Sequence, residues 1–132
     1  MIRLKQFKVK KFLNESKKES ISDALLSNAL NEFLDMGKIG QQKFSLGAGL
    51  YKLRLAAKEG RGKSGGSRTI LAFKNDERVI WLHLFSKNEK GNISVSELKK
   101  LKQLSGILLA LPDDKLTKLL DLGELYEVTE NV

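Results

Sequence analysis

The chain has 132 residues, with 24 Lys and Arg, 16 Asp and Glu, one His and no Cys, so its formal net charge is +8 at neutral pH. A chain of this length can form one domain and bury roughly two-thirds of its unfolded surface without a disulfide or metal. The lack of Cys and the single His exclude a disulfide-rich secreted scaffold and the usual zinc, iron-sulfur and thiol chemistries, and they favour a cytoplasmic location.

The first part of the sequence predicts two helices followed by a glycine-rich segment. Apolar residues recur at weak helical spacing between Phe7 and Lys17, which predicts a short helix. Ser20 lies three residues before Asp23, in a cap-like arrangement ahead of a stronger apolar stripe that ends near Gly37. The glycines between residues 37 and 49 then predict a loop.

Three strands are predicted next, over residues 50–56, 68–74 and 78–86, with the last two joined as a hairpin. Alternation along the first strand places Lys52 and Arg54 on one face and leucines on the other. Alternation along the third places Trp81, His83 and Phe85 on one face and further apolar residues on the other. Because both faces of this third strand are apolar, it is typical of a central strand.

The C-terminal part predicts two helices and a last strand. A capping box of Ser94 and Glu97 begins the clearest helix, and Pro112 ends it. A shorter helix over residues 113–122 and a strand over residues 124–128 complete the predicted elements.

Basic residues are concentrated in two segments of the chain. Residues 1–18 carry seven bases and one acid, and residues 52–90 carry ten bases and four acids, whereas residues 113–132 carry two bases and six acids. Lys and Arg gathered on one face are typical of nucleic-acid binding, although a solvated surface accounts for such runs equally well. The acidic tail either shields the basic region or simply borders the fold.

The tripeptide Gly62-Lys63-Ser64 resembles the end of a phosphate-binding P-loop, but the surrounding spacing fails. That motif requires a glycine at the position of Ala57 and a helix after the serine, where this chain has more glycines and a predicted strand. A nucleotide hydrolase is therefore disfavoured. The basic loop can still approach phosphates through its backbone amides and cations, or it can simply be a flexible hairpin loop.

Four ring-bearing side chains on the predicted strands each have two interpretations. His83 is a candidate proton shuttle, but packing within the sheet is the commoner role of a lone histidine on a strand. Trp81, Phe85 and Phe73 are candidates for stacking on bases, while packing in the core is the commoner role of aromatic residues on strands.

The region from the first predicted strand to the last predicted helix carries a family resemblance. Its motifs are YKLRLAAKEGRGKSGGSRTILAF, FSKNEKGNIS and LPDDKL. They closely resemble RelE-like toxins of bacterial type II toxin-antitoxin systems, in the RelE/HigB/ParE superfamily, and specifically the branch whose strands bracket GRGKSGG. The resemblance implies a single domain over residues 1–132 with an α+β, RNase-barrel-like fold, in which N-terminal helices and a C-terminal helical segment pack on a small twisted antiparallel sheet.

The same resemblance implies a metal-independent mRNA endoribonuclease, or mRNA interferase, that inhibits translation and growth and needs no cofactor. Its substrate would be message on the ribosome, and its partner a cognate antitoxin, which in this branch is a helix-turn-helix DNA-binding protein. No membrane partner is expected, because the longest nearly uncharged run, residues 104–112, is far shorter than the roughly 20 residues that span a bilayer.

The residues present fit this chemistry. RNA can be cleaved without metal when its own 2′-hydroxyl attacks the adjacent phosphorus, which needs a proton acceptor, cations around the phosphate and a proton donor for the leaving oxygen. Crowded lysines can carry protons, since mutual repulsion lowers a lysine pKa, while arginine stays charged. Strand position and resemblance together assign catalysis to Lys52, Arg54, Arg68, Lys87 and Lys90, with Arg68 as phosphate clamp and Lys87 as proton carrier. Arg61, Lys63 and His83 are assigned to RNA binding.

A non-catalytic RNA- or DNA-binding module with the same basic sheet is the alternative. Several ribosome-dependent relatives carry an Arg and a Tyr in the catalytic rim, where this chain has Asn88 and Ser94. The two hypotheses differ in one outcome, because only the enzyme leaves cut messages in the presence of EDTA.

Overall fold

A computed structural model describes residues 4–55, 67–74, 77–86 and 93–129. The helices are α1 (Lys10–Glu19), α2 (Asp23–Asp35), α3 (Gly37–Gln42), α4 (Val95–Ala110) and α5 (Asp113–Asp121). The strands are β1 (Lys5–Val9), β2 (Ser45–Gly47), β3 (Leu50–Arg54), β4 (Ser67–Lys74), β5 (Arg78–Ser86) and β6 (Leu125–Glu127). Within these ranges the strands form one sheet in the order β2-β3-β4-β5-β1-β6.

The sheet is mixed, although most of its pairs are antiparallel. β1 runs parallel to β5, with Phe7 opposite Ile80, and antiparallel to β6. The other described pairs, β2–β3, β3–β4 and β4–β5, are antiparallel. The predicted α+β fold is confirmed, but the predicted helix over residues 7–17 is wrong at its start. Burial of Phe7 against the neighbouring strands, rather than the weak helical spacing, decides the conformation of β1.

Helices α1 and α2 cover one face of the sheet. Phe12 of α1 and Phe33 of α2 are fully buried there, in one cluster with Leu53 of β3 and Trp81 of β5. The ring centroids of Phe12 and Trp81 are 5.9 Å apart. Burial of such side chains stabilises the fold by about 1.5–3 kcal/mol each. The predicted core-facing role of the β3 leucines is confirmed.

Helices α4 and α5 cover the opposite face. Leu108 of α4 and Leu116 of α5 are buried in a second cluster, together with Leu50, Ile70 and Ile80 of the sheet. β5 therefore contributes buried side chains to both clusters, and it lies between β4 and β1. The prediction of a central strand is confirmed.

The alternation of faces along β5 breaks near His83. The register of the β4–β5 ladder shifts at this point, so that Leu82 is an extra residue between two paired positions. One extra residue exchanges the faces of all side chains that follow it. The predicted common face of Trp81 and Phe85 is therefore wrong, because Trp81 packs in the α1–α2 cluster and Phe85 in the α4–α5 cluster.

Serine side chains begin two of the helices. Ser22, rather than the predicted Ser20, caps α2, and its Oγ accepts a hydrogen bond from the Leu25 N–H at 3.1 Å. Ser20 instead ends α1 in a left-handed conformation. The predicted start of α4 is confirmed, since Ser94 Oγ accepts from the Glu97 N–H at 3.1 Å.

Arg78 ties the start of β5 to the corner between α4 and α5. Its side chain is buried, and Nη1 donates to the carbonyl oxygens of Leu108 and Leu111 at 3.0 and 2.8 Å. Nη2 lies 3.1 Å from a carboxylate oxygen of Asp113. Carbonyls at the end of a helix lack the usual donor from the next turn, and Arg78 supplies donors there in addition to the Leu111 N–H, which lies 3.4 Å from the Leu108 carbonyl oxygen.

We expect Arg78→Met to lower the free energy of unfolding by about 2–4 kcal/mol, because it keeps the aliphatic stem but removes the guanidinium's hydrogen bonds to both carbonyls. Urea denaturation followed by circular dichroism measures the loss. Lys74→Met is the matched control: its ion pair with Glu77 is half exposed, so the expected change is below about 0.5 kcal/mol. Equal stability of the Arg78 variant and wild type would contradict this role.

A second junction joins β1, the first turn of α2 and the segment after β6. Lys8 Nζ is 2.6 Å from Asp23 Oδ1, and the backbone N–H and hydroxyl of Thr129 donate to Oδ2 at 3.0 and 3.1 Å. Burial acts to raise the pKa of the Asp23 carboxyl, but the hydrogen bonds from Lys8 and Thr129 and the positive charge of Lys8 outweigh it, so this pKa lies below its ordinary value.

The stabilisation from ionised Asp23 is therefore present above the ordinary carboxyl pKa of 3.8 and is lost as the pH falls through the lower value of the folded state. We expect Asp23→Asn to be less stable than wild type at pH 7, and the difference to shrink steadily below pH 3.8. Urea denaturation at several pH values measures the difference. Asp35→Asn, at the exposed end of α2, is the control and should lose no stability at any of these pH values.

Candidate nucleic-acid interface

A basic cavity opens where β3 ends and β4 begins, beside β2 and the two residues that precede it. Its volume is about 360 Å³. The described residues that line it are Lys43, Phe44, Ser45, Leu46, Lys52, Leu53, Arg54 and Arg68. Four of these residues are cationic and none is acidic, so the cavity suits an anionic ligand.

Arg54 and Arg68 stand directly opposite each other across the β3–β4 ladder. Directly opposed side chains in an antiparallel pair lie on the same face, with Cβ atoms about 4.5–5.5 Å apart. Like charges at that separation destabilise a sheet. Within the described residues neither arginine forms an ion pair with a carboxylate. This repulsion would be relieved by a bound anion, such as a phosphate.

Burial decreases along this face of β3 and β4 toward the cavity. Leu50 and its partner Ala72 are fully buried beneath α4, whereas two residues further on Lys52 is half-buried, and Arg54 at the strand end is exposed. The predicted common face of Lys52 and Arg54 is confirmed, because Leu53 and Leu55 pack in the α1–α2 cluster, whereas Ile70, the ladder partner of Lys52, packs in the opposite one. The catalytic roles of Lys52 and Arg54 stay predictions.

The guanidinium of Arg68 is held partly inside the protein. Its side chain is half-buried, and its Nε is buried without a hydrogen-bond partner among the described residues. A guanidinium carries five N–H donors in a fixed planar fork, so burial at Nε restricts the orientation of the rest of the group. Arg68 is thus a restrained cation at the cavity wall.

His83 lies outside the cavity. It is 7% exposed, and its Nδ1 is 3.5 Å from a carboxylate oxygen of Glu15 in α1 without forming a hydrogen bond. The other oxygen of that carboxylate accepts from the Leu84 N–H at 3.2 Å, and the imidazole stacks on Phe85 with ring centroids 5.3 Å apart. These contacts fit the packed sheet residue, and the assignment of His83 to RNA binding stays a prediction.

The remaining predicted site residues, Arg61, Lys63, Lys87 and Lys90, lie outside the described residues, as does Asn88. Ser94 is described, and its hydroxyl serves as the cap of α4.

Sequence reasoning missed one aromatic side chain in the cavity. Trp81, Phe73 and Phe85, the aromatic residues considered for stacking, are all buried in the two clusters. Phe44, in contrast, lines the cavity and is 39% exposed. It lies in the stretch predicted as loop, where the structure has α3 and β2. The available signal was an isolated aromatic residue among polar ones just before a basic strand.

The described residues hold neither a cluster of metal ligands nor a membrane-spanning helix. No group of three or more His, Asp or Glu side chains in these ranges is arranged to hold a metal ion. None of the described helices has the length and apolar character needed to cross a bilayer.

The family model for the RelE toxin of the RelE/RelB toxin-antitoxin system matches residues 4–128. The match covers nearly the whole chain, so this protein belongs to the RelE toxin family. It is accordingly a toxin of a toxin-antitoxin system, and a cognate antitoxin is its partner. Toxins of this family are generally ribonucleases, which agrees with a cavity built for an anionic ligand.

We expect Arg54→Gln to weaken RNA binding without lowering the stability of the fold. Removal of one member of the opposed pair should leave the free energy of unfolding unchanged or raise it by up to about 1 kcal/mol. Affinity for a 2′-O-methyl oligoribonucleotide, which cannot be cleaved, should fall, and the slope of log K against log salt should become shallower by about 0.7.

The control for this experiment is Lys118→Gln, which removes the same charge from α5, a helix that contacts β6 at the opposite edge of the sheet. It should change neither the affinity nor the salt slope. Fluorescence anisotropy at several salt concentrations measures both. An Arg54 variant that binds RNA as wild type does would remove the cavity from consideration as the RNA site.

Proposed function

We propose that this toxin is a metal-independent endoribonuclease that cuts mRNA on the ribosome and thereby inhibits translation and growth. The opposed Arg54 and Arg68, beside Lys52 in a cavity with no described acid, are the observation that carries the proposal. Membership of the RelE family supports a ribonuclease in general. The restriction to translated message and the independence from metal are the parts that need testing.

The proposed reaction uses the RNA's own 2′-hydroxyl as nucleophile. A base removes its proton, the oxygen attacks the adjacent phosphorus, and the bond to the 5′-oxygen breaks as that oxygen gains a proton. Negative charge grows on the non-bridging phosphate oxygens in the transition state, and fixed guanidinium groups stabilise it there. Arg68 is proposed as the clamp on these oxygens, with Arg54 opposite it, and Lys87 as the proton carrier.

Strand positions suit this task better than loop positions would. Arg54 and Arg68 are held by the β3–β4 ladder, and the Leu55 N–H donates to the Ser67 carbonyl at 2.8 Å just beside them. Charges fixed before the substrate arrives need no reorganisation during the reaction. Lys43, at the same cavity as Lys52 of the catalytic set, is proposed to hold a flanking phosphate.

The cellular setting follows from the substrate. A toxin that acts on translated message works in the cytoplasm. We propose that the antitoxin is a helix-turn-helix DNA-binding protein that covers the basic cavity with an acidic or apolar segment. The chain over residues 1–132 is proposed to act as one domain.

The decisive experiment maps the 5′ ends of messages by primer extension after expression of the toxin without antitoxin. We expect new ends inside translated regions, and their loss when the start codon of the reporter message is removed. Purified toxin that has been treated with EDTA and then desalted should cleave message on translating ribosomes as fully as untreated toxin, because no metal bound to the toxin takes part. RNA binding without any new ends would instead support a non-catalytic binding module.

A chemical prediction tests the mechanism itself. A single 2′-O-methyl or 2′-deoxy nucleotide at the cleaved position should abolish cleavage while leaving binding within about twofold, because only the nucleophile is removed. The unmodified message should yield a 2′,3′-cyclic phosphate end, which mass spectrometry identifies. Cleavage of the modified RNA at the same position would exclude attack by the 2′-hydroxyl.

A further inference from the structure

We propose that Phe44 is a stacking platform for an unpaired RNA base whose phosphate occupies the cavity of Arg54 and Arg68. The inference rests on the proposed function for the identity of the substrate and adds a positioning residue outside the catalytic set. The ring would contribute to RNA affinity by stacking on the face of the base, whereas the arginines would contribute through their charge.

Phe44 is the most exposed phenylalanine of this protein. The chain has six phenylalanines, and the other five are at most 7% exposed. The one tryptophan, Trp81, is fully buried as well. Phe44, at 39% exposure, is a member of neither hydrophobic cluster, so part of its side chain is open to a ligand.

The backbone holds Phe44 in a fixed place at the cavity. Its carbonyl accepts a hydrogen bond from the Lys52 N–H at 2.9 Å, and its own N–H donates to the Gln41 carbonyl at 2.9 Å. Gln41 is buried, and its amide donates to the Phe33 carbonyl at 3.1 Å. An exposed ring on a segment anchored to the core and to β3 is already positioned before a ligand binds, which lowers the entropic cost of binding.

The composition of the cavity indicates the class of ligand. Phe44 shares it with Lys43, Lys52, Arg54 and Arg68, and none of the described lining residues is acidic. A ligand that satisfies both features carries negative charge and a flat apolar face. In single-stranded nucleic acid each nucleotide carries both a charged phosphate and a flat base. Proteins bind it with aromatic side chains that lie beside cationic grooves.

The first test uses a fluorescent reporter at the proposed contact. Phe44→Trp adds an indole at the exposed position. The fully buried Trp81 contributes a constant background emission, which is determined with the wild-type protein. We expect a 2′-O-methyl oligoribonucleotide to quench the added emission, and an oligomer of the same length and charge but without bases to bind without quenching it. Equal emission with and without saturating RNA would overturn the proposal.

The second test removes the ring. Phe44→Ala should bind the base-containing oligomer roughly 5- to 150-fold more weakly, which is the range for the loss of one stacked base. Its affinity for the abasic oligomer should stay the same, and Phe44→Trp should restore binding. Ile39→Ala is the matched control, because Ile39 is an apolar side chain on α3 that is 87% exposed and lines a different cavity; it should change neither affinity.

The outcomes separate this inference from the proposed reaction. An equal loss of affinity for both oligomers, or none for either, would overturn stacking whether or not the wild type cleaves message. A loss confined to antitoxin binding would also overturn it and assign the ring to a protein contact. Base-dependent binding through Phe44 in a protein that leaves every message intact would support stacking and defeat the nuclease.

Discussion

The structure depends on burying a single strand on both of its faces. β5 lies between β4 and β1, and its side chains fill the cluster under α1 and α2 as well as the cluster under α4 and α5. Buried peptide groups need hydrogen-bond partners, which the neighbouring strands supply, and Glu15 supplies one at Leu84. Arg78 then fixes the second helical layer to the start of the same strand. Both layers are thereby anchored at β5, and β3, two strands away from it, ends in the exposed Arg54.

The basic cavity lies at this uncovered end. Along β3 the side chains on the cavity face change from fully buried Leu50 to half-buried Lys52 and exposed Arg54, so one strand joins the core to the site. The opposed arginines, Arg54 and Arg68, destabilise the sheet slightly through their repulsion, but they hold two positive charges close together in a fixed place. This loss of stability is small relative to the stabilisation from a core of two clusters. In return, the cationic side chains are already in position when an anionic ligand binds.

The cavity and the family assignment support the same conclusion from independent grounds. The match to the RelE family defines the protein as a toxin with a cognate antitoxin. The geometry adds where an anionic ligand fits and which strands hold the cations in place. The proposed stacking on the exposed Phe44 would extend the site from charge alone to recognition of a whole nucleotide. Charge attracts any polyanion, whereas a stacked base distinguishes single-stranded RNA from a bare phosphate chain.

The sequence by itself determined the strand faces of Lys52 and Arg54, the two-sided burial of β5, the start of α4 and the resemblance to the toxin family. These features depend on the spacing of residues along one segment, which a single chain displays directly. Only the tertiary structure decided that Arg68 faces Arg54, that His83 is covered and that Phe44 is exposed. Register and exposure depend on which distant segments pack together, and no local pattern contains that information. The parallel pairing of β1 has the same cause, since a strand of five residues is stabilised mainly by its neighbours.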